Sequence, residues 1–422
     1  MQPEQGGHMK RFKDGRDWFF EKRFGMFIHW GIYSLTEWQE QVIWRGAMKR
    51  KDYEPLVEQF NPVKFDPEAW LDLAQEAGME FICFTTKHHD GFCMWDTKHT
   101  EYNIMNTPYG KDILAMLSRA CHTRGMGFGL YYSLPDWHHP NYPNMGRHHE
   151  MFGPRSHDDR DEDKYLAYVE LQIEELLTNY GKVEQLFWDV NVAKFYKPEL
   201  NEKVRSLQPG IMINDRGPGP GDYTTPERKV PDGGVFSHPV LAVQSTGRES
   251  WGYRDKEDYY SHKVLMQSVD KTLAMGGNYQ LNVGPKSDGT ICDQDSAGLR
   301  RIGKWYHRVK EAFAGCEPCS YMRSEEGFLI AYDDVLLTRK KNIIYVHAYQ
   351  DLQTTGVMLH PMRALPEKAT LLNDGRELRT VVDVTPWRWK SRPALRVYDL
   401  PVDEITNEPL IIKLEFGEDV VE

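Results

Sequence analysis

Seven short apolar segments, each ending in polar or aromatic residues, recur through the first three quarters of the chain. Segments with helical spacing lie between them, at 112–124, 163–180 and 263–275. This alternation predicts a parallel sheet, because consecutive parallel strands need a crossover connection. The apolar segments are "GMFIHWG" (25–31), "FICFTTKHH" (81–89), "GFGLYYS" (127–133), "EQLFWDV" (184–190), "IMINDRG" (211–217), "LAVQST" (241–246) and "YQLNVGP" (279–285).

The number of strands decides between a closed barrel and an open sheet. Seven or eight parallel strands separated by helices favour a (β/α)₈-like TIM barrel. An open doubly wound sheet needs a glycine-rich phosphate-binding turn after its first strand, and "HWGIYS" is not such a turn. We therefore predict an α/β fold with a catalytic barrel over residues 1–320.

The last quarter of the chain has a different pattern. Short alternating segments separated by turn residues replace the helical spacing, among them "NIIYVHAY", "GVMLHP", "KATLLNDG", "ALRVYDLP" and "PLIIKLEF". Such a run predicts strands joined by short turns. We expect residues 321–422 to form an antiparallel β-sandwich domain.

Charge and aromatic content narrow the class of ligand. The net charge is −11 with a pI near 5.8, so capture of nucleic acid or an anionic membrane is not expected. The 12 Trp and 22 Tyr residues often stand beside His or Asp, as in "FIHWG", "MWDTKH" and "LPDWHHP". This mixture suits a sugar, whose C–H faces pack on aromatic rings while its hydroxyls need polar partners.

The sequence says little about compartment or assembly. No apolar stretch approaches the roughly 20 residues that span a bilayer. The start, "MQPEQGGHMKRF", lacks the apolar core of a secretory signal and resembles an expression leader, with the natural start near Met9. A cytoplasmic, periplasmic or secreted location is left open, as is the oligomeric state.

Polar residues at the ends of the predicted strands are candidates for the site, because the carboxyl ends of parallel barrel strands surround it. Asp189 ends a buried strand, where a carboxylate is costly unless it has a purpose. A helix N-cap in the following loop is the alternative, and spacing alone does not separate the two. The other strand-end residues are His29, Trp30, His88, His89, Tyr131 and Tyr132.

Two chemistries fit these residues. Hydrolysis of a glycosidic bond needs a second carboxylate, for which Asp215, Glu227 and Glu249 are candidates that spacing does not rank. A metal centre is disfavoured, because "HWG" offers one His where a pair would be needed and adjacent His88 and His89 on a strand would face opposite sides. We expect no metal and no other cofactor.

Several motifs together resemble the α-L-fucosidase family of glycoside hydrolases, family twenty-nine. They occur in order between about residue 16 and residue 315, and seven collinear motifs make chance similarity very improbable. The motifs are "RFGMFIHWGIYS", "TTKHHDGFCMWDT", "GKDILAMLSRACHTRGMGFGLYYSLPDW", "LFWDV", "NDRG", "SWGYR" and "GGNYQLNVGPKSDG".

The resemblance implies a retaining exo-α-L-fucosidase with a barrel followed by a β-sandwich. It places the nucleophile on Asp189, and the similarity of "YTTPE" to the family's acid/base stretch places that role on Glu227. The segment "DRGPGPGDYTTPE" leading to Glu227 is rich in Gly and Pro, so we expect it to lack regular structure. By the same resemblance His29, His88 and His89 bind sugar hydroxyls, Tyr132 and Arg216 lie near the nucleophile, and Trp30, Trp38 and Trp251 form walls.

The sequence departs from the family pattern at two places. Val190 and Asn191 follow Asp189 where members commonly have glycine, and Leu241 and Ala242 stand where many members have a Trp-Glu pair. These differences keep two alternatives open. The chain could prefer another α-L-glycoside such as an α-L-galactoside, or it could be a sugar-binding protein that has lost its acid/base.

Overall fold

A computed structural model describes residues 9–46, 48–151, 159–230, 235–319, 335–359, 365–384 and 393–417. Within them the predicted barrel strands form one parallel sheet of seven strands in the order β5-β4-β3-β2-β1-β7-β6. The prediction of a parallel (β/α)-type sheet is therefore confirmed. Its strands are β1 (Phe24–Ile28), β2 (Phe81–Lys87), β3 (Gly127–Ser133), β4 (Gln185–Asp189), β5 (Met212–Ile213), β6 (Leu241–Ser245) and β7 (Asn278–Val283).

Helices connect the strands of this sheet, and capping residues in the sequence set where several of them begin. Asp112, Asp161 and Ser261 each accept a hydrogen bond from a backbone N–H in the first turn of the helix that follows. The helices are α1 (Val42–Arg45), α2 (Arg50–Tyr53), α3 (Pro67–Glu76), α4 (Ile113–Arg124), α5 (Glu162–Asn179), α6 (Pro198–Leu207), α7 (His262–Ala274) and α8 (Asp293–Val309), with 3₁₀ turns at Gly15–Phe20, Ile32–Thr36, Glu54–Gln59, Ile104–Asn106 and Lys310–Ala312. None of the helices among the described residues is long and apolar enough to cross a bilayer.

The edge strands β5 and β6 are joined by residues 222–228, which we call the closing segment. It runs between them and exchanges backbone hydrogen bonds with both, so it takes the place of an eighth strand. No helix or strand lies between Arg216 and Glu227, as expected, but the second half of this stretch is held in place by backbone hydrogen bonds. The bonds include Asp222 N to Ile213 O (2.6 Å), Asp215 N to Tyr223 O (3.0 Å), Leu241 N to Thr224 O (3.0 Å), Val243 N to Pro226 O (3.0 Å) and Arg228 N to Val243 O (2.9 Å).

Side chains on each strand alternate between the barrel interior and the surrounding helices. Along β1, Phe27 points inward and contacts the rings of Tyr131 and Phe187, whereas Ile28 packs in the outer core with the helices. The same alternation on β4 places Phe187 and Asp189 on the interior side. Residues at alternate positions that point the same way as Phe27 therefore enter the site, whereas those that point the same way as Ile28 pack against the helices.

The C-terminal part contains a five-stranded sheet, β12-β15-β10-β9-β8, and a three-stranded sheet, β11-β14-β13, both antiparallel. A common core joins them, which includes Val346 and Ile412 from one sheet and Val357 and Leu395 from the other. This confirms the predicted β-sandwich. The strands are β8 (Glu317–Pro318), β9 (Leu336–Lys340), β10 (Ile343–Ala348), β11 (Val357–Leu359), β12 (Lys368–Leu371), β13 (Arg379–Val384), β14 (Pro393–Tyr398) and β15 (Leu410–Glu415).

The predicted boundary between residues 320 and 321 stays a prediction, because residues 320–334 lie outside the described ones. One observation bears on it. β8 ends at Pro318 and already pairs with β9, so the C-terminal sheet takes up residues before position 321. This pairing ties the end of the barrel region directly to the sandwich.

A buried hydrogen-bonded pair links the barrel to the sandwich. His347 of β10 and Asp270 of α7 are both fully buried, with Nδ1 and Oδ1 2.7 Å apart. The Thr338 hydroxyl is 2.7 Å from the Ala312 carbonyl, which can only accept, so the Thr338 oxygen accepts from Nε2 of His347 at 2.9 Å. Both imidazole nitrogens therefore have partners, and removal of Asp270 would leave one of them buried without any.

We expect Asp270→Ala to lower the free energy of unfolding by about 3–5 kcal/mol, because it leaves a buried imidazole without its carboxylate. Combining it with His347→Phe should cost less than the sum of the two single losses, since the double variant has no unpaired buried group. Denaturant unfolding of the three variants measures this coupling.

Asp351→Ala is the matched control. Its carboxylate also bridges the sandwich to α7, 2.6 Å from Lys263, but Asp351 is 68% exposed. An exposed pair should contribute less than about 1 kcal/mol. Equal losses from Asp270→Ala and Asp351→Ala would contradict the role given to the buried pair.

Candidate active site

Asp189 is the last residue of β4, and its carboxylate has a partner on each oxygen. The Tyr131 hydroxyl donates to Oδ2 at 2.7 Å and Nη1 of Arg216 donates to Oδ1 at 3.0 Å. Burial raises the pKa of Asp189, but the charge of Arg216, the neighbouring His89 and the Tyr131 hydrogen bond outweigh it, so its pKa lies below the ordinary value. The carboxylate is therefore ionised and oriented. The next helix, α6, has Lys197 at its N-cap, which excludes the N-cap alternative for Asp189.

The turn after Asp189 is strained. Val190 has φ of 53°, a left-handed conformation that a β-branched residue rarely adopts and that costs on the order of 1–2 kcal/mol. The Asn191 side chain stabilises the turn by accepting from Phe195 N at 2.8 Å and donating to Gly217 O at 3.0 Å. The chain thus keeps a glycine-like turn without glycine at the position where the sequence departs from the family.

Arg216 links Glu227 to Asp189, because it donates a hydrogen bond to each carboxylate. Nη1 of Arg216 lies 3.0 Å from Oδ1 of Asp189 and 3.0 Å from Oε2 of Glu227, so these two oxygens are at most about 6 Å apart, twice that distance. Retaining glycosidases hold their carboxyl groups about 5–5.5 Å apart. Glu227 is 41% exposed against 13% for Asp189, so it stands at the rim while Asp189 lies at the bottom.

Arg216 is itself fixed by the closing segment. Its Nε donates to Oγ1 of Thr225 at 2.6 Å and its Nη2 donates to the Thr225 carbonyl at 2.8 Å. Burial lowers the pKa of Arg216, but the charges of Asp189 and Glu227 raise it by more, so its pKa lies above the ordinary value and the guanidinium keeps its charge. The other candidates for the second carboxylate, Asp215 and Glu249, are exposed, and no contact among the described residues joins either to Asp189.

The floor of the site consists of three buried histidines, which are His29, His88 and His89. Their rings are close, with His88 4.1 Å from His89 and 5.7 Å from His29 between centres. Burial lowers the pKa of all three, and that of His89 falls to about 3. The floor is therefore polar but uncharged.

Hydrogen bonds fix the tautomers of His29 and His89. The Ser133 hydroxyl donates to Pro135 O at 2.7 Å, so its oxygen accepts from Nδ1 of His89 at 2.6 Å. Asn282 donates its amide N–H to the Trp251 carbonyl, which turns its oxygen toward Nδ1 of His29, 2.6 Å away. Nδ1 is the donor in both neutral rings, and Nε2 is left as an acceptor for a ligand hydroxyl.

His88 and His89 do not lie on opposite faces of a strand, as the argument from sequence assumed. β2 ends at Lys87 after a register shift between Thr85 and Lys87, so both histidines belong to the following turn. His88 stacks on Tyr131 and His89 reaches within 3.9 Å of the Asp189 carboxylate. A bulge thus brings two consecutive side chains to one site.

Two predicted site residues, Tyr132 and Trp30, point away from the barrel interior, so their predicted roles in the site are wrong. Tyr132 is fully buried outside the barrel, where its hydroxyl donates to Gln172 of α5 at 2.7 Å; its neighbour Tyr131 contacts Asp189 instead. Trp30 is 1% exposed and packs with Phe65 and Trp70 beneath α3. Side chains in a strand alternate between its two faces, and each of these residues directly follows a residue that points inward.

The two remaining predicted walls differ. Trp251 stands beside the floor, with its ring 5.2 Å from that of His29 and the Arg228 guanidinium 4.6 Å from its centre. Trp38 is half-buried in the loop after the second 3₁₀ turn, 5.8 Å from the Arg254 guanidinium. No contact among the described residues joins Trp38 to Asp189, and its role as a wall stays a prediction.

Sequence reasoning named Tyr131 only as a strand-end residue and gave the place near the nucleophile to Tyr132; it missed Asn282 and Ser133. The signal for Tyr131 was available, since it is an interior position on β3 two residues before the strand end, in step with Asp189 on β4. Asn282 and Ser133 act through histidines, and nothing in their spacing reveals this. Among the described residues no cluster of three His, Cys, Asp or Glu side chains has the arrangement of a metal site, and the expectation that no metal is needed stays a prediction.

Two carboxyl groups whose nearest oxygens are no more than about 6 Å apart, on the wall of a parallel barrel, fit a glycoside hydrolase of the retaining type. Residues 8–311 match the family model described as alpha-L-fucosidase. The chain belongs to the α-L-fucosidase family.

Individual relatives agree with this assignment. Tissue alpha-L-fucosidase of Rattus norvegicus is 27% identical over 355 residues, covering 78% of this chain and 75% of that protein. Plasma alpha-L-fucosidase of Homo sapiens is 30% identical over 331 residues, covering 68% and 67%.

Solved structures extend the similarity to almost the whole chain. Alpha-L-fucosidase isoenzyme 1 from Paenibacillus thiaminolyticus has a TM-score of 0.83 at 31% identity, covering 96% of this chain and 99% of that one. An alpha-L-fucosidase from Bacteroides thetaiotaomicron, solved as a trapped covalent intermediate with 2-fluoro-fucosyl fluoride, has a TM-score of 0.79 at 25% identity, covering 97% and 98%.

The contact between Tyr131 and Asp189 predicts a change in pH dependence. The Tyr131 hydroxyl stabilises the ionised carboxylate, so Tyr131→Phe should raise the pKa of Asp189. The acid limb of the kcat/KM profile would then move to higher pH, by up to about one unit for one hydrogen bond. Tyr132→Phe, which removes the bond to Gln172, should leave that limb in place. A shift of the same size in both variants would contradict this assignment.

Proposed function

We propose that this enzyme, a retaining exo-α-L-fucosidase, uses Asp189 as its nucleophile and Glu227 as its acid/base. The observation that carries the proposal is the single guanidinium nitrogen of Arg216 bonded to both carboxylates. That contact holds an oriented carboxylate and a more exposed one no more than about 6 Å apart, which is compatible with the separation of a retaining pair.

In the first step Asp189 attacks the anomeric carbon of a terminal α-L-fucosyl unit. A bond forms between its carboxylate oxygen and that carbon, the bond to the leaving oxygen breaks, and Glu227 donates its proton to that oxygen. Tyr131 and Arg216 hold the carboxylate in place. The trapped covalent intermediate of the Bacteroides relative supports a two-step route.

In the second step water cleaves the fucosyl ester. Glu227, which gave up its proton in the first step, accepts a proton from the attacking water. The hydroxide attacks the anomeric carbon, the ester bond breaks, and Asp189 regains its charge.

His29, His88 and His89 bind the hydroxyls of the fucosyl unit, and Trp251 packs against its apolar side. The free Nε2 atoms of His29 and His89 accept hydrogen bonds, as their tautomers require. The pairing of two carboxylates argues against a sugar-binding protein that has lost its acid/base. An α-L-galactoside, which adds one hydroxyl to the fucosyl methyl, is the second substrate to compare.

We expect Asp189→Ala to lower kcat on an aryl α-L-fucoside by at least about a thousandfold, because no neighbouring group replaces the nucleophile. Azide should restore turnover by occupying the vacated space and should give a β-fucosyl azide, identified by NMR. Asp215→Ala, which removes an exposed carboxylate nearby, is the control and should remain active. Near-normal activity of Asp189→Ala would remove Asp189 from the mechanism.

Glu227→Ala should affect substrates according to their leaving group. Departure of a sugar needs a proton, so cleavage of a fucosylated sugar should fall by at least about a hundredfold. The first step with a dinitrophenyl fucoside should proceed almost unchanged, because that group leaves without protonation. Burst kinetics separate the two steps, and Glu249→Ala serves as control. Equal, small losses on both substrates would assign the acid role to another residue.

A further inference from the structure

Three aromatic side chains outside the residues already assigned form one wall at the rim of the site. Trp44, from α1, has its ring centre 5.0 Å from that of His148 and 4.9 Å from that of His149. His149 in turn lies 5.2 Å from His89 of the floor. We call Trp44, His148 and His149 the rim wall.

The loop that carries the two histidines is held in place by buried groups. Glu150 is fully buried and accepts hydrogen bonds from Arg147, at 2.6 and 2.7 Å, and from the Tyr142 hydroxyl at 2.9 Å. Trp137 connects this loop to the floor, since its Nε1 donates to His149 O at 2.9 Å and its backbone N donates to His89 O at 2.7 Å. The rim wall is therefore fixed relative to the floor.

His149 is held in an unusual state. Its φ is 63°, in the left-handed region that costs a non-glycine residue about 1–3 kcal/mol and persists where the surroundings impose it, often at ligand sites. Its Nδ1 is buried with no hydrogen-bond partner among the described residues. Burial lowers its pKa to about 4, so the ring is neutral. His149 is therefore neutral, has a strained backbone and has a ring nitrogen without a hydrogen-bond partner. These features beside the floor are typical of a residue that binds a ligand.

Exposure increases outward along the wall. The floor histidines are buried, His149 and Trp44 are half-buried, and His148 is exposed. An exo-acting pocket takes one sugar unit on its floor, so whatever is joined to that unit extends toward the rim. Aromatic faces bearing polar nitrogens suit a pyranose ring, which offers C–H groups and hydroxyls together.

We propose that the rim wall is the subsite for the leaving group, and that this group is a sugar. The proposal rests on the hydrolytic function given above and adds the three residues that decide which leaving-group sugar the enzyme accepts. Trp44 packs against the apolar face of that sugar, while His148 and His149 bind its hydroxyls.

The test compares two substrates that share the fucosyl unit. A disaccharide carrying α-L-fucose presents a sugar to the rim wall, whereas α-L-fucosyl fluoride releases only fluoride. We expect Trp44→Ala to lower kcat/KM about tenfold on the fucosylated disaccharide, the size of one lost aromatic contact, and less than about twofold on the fluoride. Trp44→Phe should recover most of the loss.

A second measurement follows the transfer of the fucosyl group to an acceptor sugar, which is the reverse of cleavage. With fucosyl fluoride as donor, the sugar released from that disaccharide should accept the fucosyl group less efficiently in Trp44→Ala than in the wild type, since the acceptor occupies the same subsite. His148→Ala, at an exposed position where folding is not at risk, should lower disaccharide cleavage in the same selective way. His307→Ala, an exposed histidine on α8, is the control.

The outcomes separate the two proposals. Equal losses of Trp44→Ala on both substrates would mean that the wall serves the fucosyl unit, and unchanged rates would mean that it binds no sugar; either result overturns the leaving-group subsite. Wild-type cleavage of the fluoride in the same experiment shows that the hydrolytic function holds regardless. A wild type that cleaves neither substrate would refute that function and the subsite with it.

Discussion

The parallel sheet has two edges, and the need to satisfy their hydrogen bonds organises the site. β5 and β6 would each present unpaired backbone groups, which is costly within a buried wall. Residues 222–228 satisfy both edges at once. Because Glu227 belongs to this segment, the same hydrogen bonds that close the wall also fix the second carboxylate of the site opposite Asp189.

Arg216 depends on this closure as well. Its guanidinium is anchored on Thr225, a residue of the closing segment, before its remaining nitrogen reaches the two carboxylates. Three chain segments are thus joined: β4 through Asp189, the end of β5 through Arg216, and the closing segment through Glu227. Displacement of any one of them would separate the carboxylates, so the backbone pairing and the geometry of the proposed catalytic pair are not independent in this enzyme.

The sequence was sufficient for the architecture, because the architecture depends on local periodicity. All seven apolar segments became strands, and the three helical segments became α4, α5 and α7. The closing segment was not foreseen, since "DYTTPER" has no apolar alternation and its pairing is supplied entirely by distant residues. Strand-like hydrogen bonding without strand-like sequence cannot be found from periodicity alone.

For the site, the sequence predicted the strand ends but not the direction of each side chain. The predictions for Trp30 and Tyr132 were wrong for one reason. Each residue lies one position away from an interior residue, and one position along a strand moves a side chain to the opposite face. The assumption that His88 and His89 face opposite sides was wrong for another reason, because both residues follow the end of β2 and its register shift and so do not alternate. Direction could have been inferred for β3 by aligning it with Asp189, whereas the bulge in β2 depends on contacts that the sequence does not display.

The neutral histidine floor has a consequence for charge. Burial lowers the pKa of His29, His88 and His89 and so disfavours the imidazolium form of all three. A fucosyl ring that acquires oxocarbenium character therefore gains positive charge against a carboxylate and uncharged imidazoles, without repulsion from below. The same arrangement selects among ligands: a fucose analogue with a protonated ring nitrogen meets attraction from Asp189, whereas an anionic sugar finds no cationic histidine to hold it.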